Sequence, residues 1–67
     1  MDIAVNGAPR SVPESTTVAS LVTALVGPAH GGIAVALNGT VLPASSWAAQ
    51  TVQAGDRLEI IRALQGG

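Results

Sequence analysis

The chain ends on Leu64-Gln65-Gly66-Gly67, and this stretch holds the most usable chemistry in its 67 residues. Gly67 carries an α-carboxylate on a tip with no side chain. Such a carboxylate is ionised at neutral pH and makes a poor electrophile until something activates it. Gly66 and Gly67 lack Cβ atoms, so the tip can thread a narrow cleft and bring the carboxylate close to another reactant. Position carries the signal here, since Gly31-Gly32 repeats the dipeptide in what reads as an ordinary loop. The reading is that Gly67 is the reactive group, Gly66 gives clearance, and the rest of the chain holds and presents them.

Other chemistries find little support. The chain has no cysteine, which removes a disulfide framework and a thiolate zinc site. His30 is the single histidine and has no acid near it in sequence, so neither a metal cluster nor a catalytic triad is expected. No phosphate-binding Gly-x-x-x-x-Gly-Lys motif is present, so no cofactor-binding or catalytic residue is assigned. Three arginines against four acids give a net charge of -1, without the basic stripe of a nucleic-acid binder. The longest apolar run, Val18 to Val26, is broken by Ser20 and Thr23 and falls short of the ~20 residues that span a bilayer. The first residues do not resemble a signal peptide, and the expectation is a cytoplasmic domain with no membrane partner. Lysine is absent, which leaves the α-amino group as the only amine an activated carboxylate could meet within the chain.

The elements that would position the tail follow from periodicity. Met1, Ile3 and Val5 alternate along a first strand, and Asn6-Gly7 signals a two-residue hairpin. The return strand Ala8 to Val12 sets Val5 against Ala8 and Ile3 against Arg10. Pro9 makes it a sheet edge, with the head of Arg10 in water. Thr17 is the expected N-cap of a helix whose apolar face is Val18, Leu21, Val22, Leu25 and Val26, opposite Ala19, Ser20, Thr23 and Ala24. Gly27-Pro28 ends it, and His30 falls in the next loop.

Ile33, Val35 and Leu37 face the core of a third strand, and Asn38-Gly39 turns into a short strand at Thr40 to Leu42. A helical turn over Ala44 to Ala48 would place Trp47 as a lid on the core. After a turn at Gln53 to Asp56, a last strand runs from Arg57 to Ala63. Leu58 and Ile60 point inward, and Arg57, Glu59, Ile61 and Ala63 point outward. This order implies an α+β layer of one mixed sheet and one helix, and its long crossover calls for a parallel strand pair. The division is a domain over residues 1–63 and a flexible tail over 64–67.

These residues carry a family resemblance. Val35-Ala36-Leu37-Asn38-Gly39, then Val41, Pro43 and Trp47, then Gly55-Asp56, Leu58-Glu59-Ile60-Ile61 and Ala63-Leu64-Gln65-Gly66-Gly67 resemble the thiamine-biosynthesis sulfur carrier family, ThiS. The opening strand, its Asn-Gly turn and the Thr17-Val18 helix start match too, so the resemblance covers nearly the whole chain. It implies a ubiquitin-like β-grasp fold, in which a mixed five-stranded sheet packs on one helix with the first and last strands parallel at its centre. It also implies that a ThiF-type adenylating enzyme, using ATP and Mg, activates the Gly67 carboxylate. A sulfur donor such as a cysteine desulfurase then makes the thiocarboxylate, and a ThiG-type thiazole synthase takes the sulfur. The chain would be a protein co-substrate and not an enzyme. The residue after the loop proline is often basic in this family and here is Ala44, so any partner contact of that side chain is missing.

A carrier must also dock. If the third and last strands pair, Ile61 and Ala63 adjoin Ala34 and Ala36 and form a shallow apolar patch fringed by Arg57, Glu59 and Arg62. Ile61, Ala63, Leu64, Gln65, Arg62 and Glu59 are therefore the expected partner-binding residues, with Leu64 as the last anchored one. Two alternatives use the same carboxylate: a carrier for molybdopterin or cysteine synthesis, and a ubiquitin-like protein modifier.

Overall fold

Asn6 and Gly7 both take left-handed backbone, with φ of 51° and 82°. This is the geometry that matches a two-residue hairpin to the natural twist of its strands. It joins β1 (Asp2–Val5) to β2 (Ala8–Ser11) in the expected register, Val5 opposite Ala8 and Ile3 opposite Arg10. Asn38 and Gly39 repeat the device, at 51° and 85°, between β3 (Ile33–Leu37) and β4 (Thr40–Leu42). The computed structural model describes residues 1–27 and 32–62. The expected stop at Pro28, the loop position of His30 and the last strand residue Ala63 lie outside them.

The helix α1 (Val18–Val26) crosses from the first hairpin to the second, and β5 (Arg57–Arg62) closes the sheet. The strand order is β2-β1-β5-β3-β4, with β1 and β5 parallel and every other pair antiparallel. The last strand is therefore the central one, and Pro9 lies on an edge where its missing N–H breaks no inner ladder. This is the five-stranded mixed sheet on one helix of the β-grasp fold.

One sheet face meets the helix. Ile3, Val5, Val35 and Leu58 pack with Val18, Leu21 and Val22 in a single aliphatic core. Fully burying side chains such as Val18 and Val22 contributes about 1.5–3 kcal/mol each. Trp47 is buried and its Nε1–H donates to the Leu42 carbonyl at 3.0 Å, so it closes the core as a lid with its polar atom satisfied.

The helix departs from its sequence pattern at both ends. Leu25, on the expected apolar face, is 36% exposed, so the buried stripe covers the first two turns only. Ala19, on the expected open face, is half-buried against the core. For Ala19 the cause lies in the segment after β4. It forms a 3-10 turn over Ala44–Ser46, shorter than the expected Ala44 to Ala48, and then folds over the start of the helix. The Gln50 carbonyl accepts from Val18 N–H at 2.9 Å and the Trp47 carbonyl accepts from Ala19 N–H at 3.1 Å. Thr17 Oγ1 accepts from Ser20 N–H at 3.1 Å, the expected cap. Three of the helix's open N–H groups are thus paired, two of them by a distant loop.

Candidate functional site

The site is the outer face of the sheet together with the strand that leads to the tail. β5 pairs with the whole length of β3, Leu58 with Leu37 through Arg62 with Ile33. Alternation then sorts its side chains. Leu58 is buried and Ile60 packs on the core, while Arg57, Glu59 and Ile61 stand on the opposite face.

On that outer face Ile61 lies opposite Ala34 and Glu59 lies opposite Ala36. Val41 of β4 flanks Ala36 from the other side. Ile61 is 58% exposed and Val41 is 70% exposed, with Ala34 and Ala36 as a low floor between them. The patch is therefore apolar and shallow, two raised aliphatic groups on a surface of alanines. Beside it is an open depression of about 420 Å³ lined by Ala4, Gly7, Gly39, Arg57, Leu58 and Glu59. Charge enters the face through Arg57 and Glu59 alone among the described β5 residues on that side.

Arg62 does not join them. It pairs with the half-buried Ile33 and lies on the helix side of β5, lining a groove with Val5, Leu25, Val26 and Ile60. The expected fringe of three charged residues is thus divided between two faces of one strand. The physical reason is the two-residue period, which separates Ile61 from its chain neighbours Ile60 and Arg62.

Both Asn-Gly turns grip β5 with side chains as well as with backbone. Asn38 Oδ1 accepts from Arg57 N–H at 2.9 Å, and Asn38 Nδ2 donates to Asp56 Oδ1 at 3.0 Å. Asn6 Oδ1 accepts from Ile60 N–H at 2.8 Å, and its Nδ2 donates to the Ile60 carbonyl at 3.3 Å. Sequence reasoning read these asparagines as turn formers only. The signal was the choice of Asn over Gly or Asp at both places, which turn geometry alone does not require.

Among the described residues no group of His, Cys, Asp and Glu could hold a metal ion. No described helix is long and apolar enough to cross a membrane. The remaining predicted site residues, Ala63, Leu64, Gln65, Gly66 and Gly67, lie outside the described residues.

The ThiS family model matches residues 3–67, which takes in all of the sheet but Asp2, and the Gly-Gly end as well. The chain belongs to the ThiS family. A crystal structure of the thiamine biosynthesis protein ThiS from Geobacter metallireducens is 38% identical, with a TM-score of 0.84 and full coverage of both chains. A solution structure of a thiamine biosynthesis protein from the same organism is also 38% identical, with a TM-score of 0.80. It is covered over 88% of its length by the whole of this chain. No curated protein matches the chain in sequence. In this ThiS-family chain the family match thus takes in the patch residues Ala34, Ala36, Val41 and Ile61 as well as Gly66 and Gly67.

Proposed function

We propose that this chain is the sulfur carrier of thiamine biosynthesis, with Gly67 as the carried end. Membership of the ThiS family supports the pathway and the carrier role, and the observation that carries the reading is that the family match runs through Gly67. A partner adenylating enzyme of the ThiF type, using ATP and Mg, couples the terminal carboxylate to AMP and releases pyrophosphate. The carbonyl carbon gains a good leaving group. The terminal persulfide sulfur of a donor such as a cysteine desulfurase then displaces AMP to give an acyl disulfide. A thiol reductant cleaves its S–S bond to leave the thiocarboxylate, and this passes to a ThiG-type thiazole synthase in the cytoplasm.

The division of labour suits the chain. The core makes a rigid body, β5 delivers the tail from the centre of the sheet, and the Ile61–Ala34–Ala36–Val41 patch is the surface offered to the adenylating enzyme. Glu59 lies on the same face beside Ala36. Arg62 borders the patch only through the backbone, and Ala63, Leu64 and Gln65 connect it to Gly66 and Gly67. The chain acts as a co-substrate, with the catalytic groups on its partners. The test is ATP–pyrophosphate exchange with the cognate adenylating enzyme. The full chain supports exchange, and a chain lacking Gly67 does not while melting at the same temperature. Equal exchange by the two chains would refute the reading.

A further inference from the structure

β5 is gripped unequally by its two neighbours. β3 pairs with it through Arg62. β1 pairs with it by backbone only at Ala4 with Arg57 and Val5 with Leu58, because the chain turns away at Asn6-Gly7. The N–H and carbonyl of Ile60 face the β1 side, one ladder step beyond the last residue of β1. There Asn6 acts twice. Its own N–H donates to the Leu58 carbonyl at 2.9 Å, and its carboxamide exchanges two hydrogen bonds with the Ile60 main chain. The side chain stands in for the peptide group that β1 would have supplied, and it prolongs the parallel ladder by about 6–7 Å. The prolonged part ends beside Ile61, at the root of the segment that leads to Gly67.

Asn38 provides an internal comparison. It occupies the same position in the other Asn-Gly turn and has the same φ of 51°. Its carboxamide holds Arg57 and Asp56 at the start of β5, three residues and about 10 Å before Ile60. The two asparagines are alike in turn chemistry and differ in which end of β5 they hold.

We infer that Asn6 is a positioning residue for tail activation: its carboxamide clamps Ile60 and so fixes the end of β5 at Ile61 and Arg62 before the adenylating partner docks. This rests on the sulfur-carrier reading. A strand end fixed before binding has less freedom to lose on docking, so the clamp acts chiefly on the KM for the carrier.

The experiment compares Asn6→Gly, Asn6→Asp and Asn38→Gly with the parent chain, well below all melting temperatures. Glycine keeps the left-handed turn and removes the carboxamide, and aspartate keeps the turn and the acceptor oxygen. Two quantities are read: amide exchange at Ile60 relative to Val35, and KM and kcat in ATP–pyrophosphate exchange with the cognate adenylating enzyme. Asn6→Gly is expected to speed Ile60 exchange about tenfold, the worth of one ordinary hydrogen bond. It should also raise KM about three- to tenfold with kcat little changed. Asn6→Asp should recover only part of each effect, because its carboxylate still accepts from the Ile60 N–H but can no longer donate to the Ile60 carbonyl. Asn38→Gly should lower the melting temperature and leave KM alone.

Unchanged Ile60 exchange in Asn6→Gly overturns the clamp. So does a KM for Asn38→Gly raised as much as that for Asn6→Gly, which would mark a loss of general stability. If the parent chain itself supports no ATP–pyrophosphate exchange, the carrier reading fails and the positioning role fails with it, whatever Ile60 does.

Discussion

Ile61 stands directly opposite Ala34 on the outer face of the sheet, with more than half of its surface in water at 58% exposure. An isoleucine set against an alanine leaves an apolar step that the fold itself does not bury. Its contribution to stability is small and its availability to a partner is large. Ile61→Ala is expected to move unfolding by no more than about 0.5 kcal/mol. It should lower kcat/KM for adenylation about tenfold, the loss expected if Ile61 is among the few contacts that carry the docking energy. Chemical denaturation and initial-rate kinetics on the same variant check the two halves separately. A large stability loss with normal kinetics would move Ile61 from docking to packing.

Val41 tests the extent of the patch. It is 70% exposed on the edge strand β4 and flanks Ala36. Val41→Asp puts a charge on that edge at little cost to folding, since both states leave the side chain in water. If the docking surface reaches β4, this variant raises the KM for the carrier. If the surface ends at β3, Val41→Asp behaves as the parent while Ile61→Asp does not.

Trp47 tests the core lid. Its indole is 5% exposed and its Nε1–H is paired with the Leu42 carbonyl. Trp47→Phe keeps most of the packing and removes one hydrogen bond to the Leu42 carbonyl, which is expected to cost about 0.5–1.5 kcal/mol. Trp47→Ala is expected to cost about 3–5 kcal/mol, a large share of what a domain this small possesses. Urea titration followed by circular dichroism reads both. Equal and small losses would show the loop to be dispensable.

Thr17 tests the helix start, where three N–H groups are held by three different acceptors. Thr17→Ala removes one of them and is expected to cost about 1 kcal/mol, while Thr17→Ser keeps the capping hydroxyl and is expected to be close to neutral. The measurement is the shift in thermal midpoint, and the adenylation kinetics of both variants should stay as in the parent.

Much of this fold was legible because its signals are local. Asn6-Gly7 and Asn38-Gly39 can turn in few other ways, and the alternation in β1, β3 and β5 names the buried face before any pairing is known. Thr17 and Gly27 mark the helix ends by side-chain type and by backbone freedom, Gly27 taking a φ of 106°. The parts that escaped depend on acceptors that every residue carries. Nothing in the identity of Trp47 or Gln50 announces that their carbonyls will meet Ala19 and Val18. Val52 is buried beside the helix start although its neighbours read as a turn, and it gets there through the bond from its N–H to the Thr16 carbonyl. Arg62 was grouped with Ile61 by sequence adjacency, and the strand period separated them. The candidate site was legible in its patch, since Ala34, Ala36 and Ile61 needed only the pairing of β3 with β5 to be brought together. It was not legible in its clamp, because an asparagine that forms a turn and one that also holds a distant strand look alike in sequence.

The Gly67 carboxylate is the proposed acceptor of sulfur, and the intact mass of the chain reads that transfer. The chain is incubated with its adenylating enzyme, ATP, Mg, a sulfur donor and a thiol reductant. One carboxylate oxygen is expected to be exchanged for sulfur, with no exchange without ATP or in a chain lacking Gly67. An unchanged mass, under conditions in which the same mixture converts a second ThiS protein, would contradict that role for Gly67.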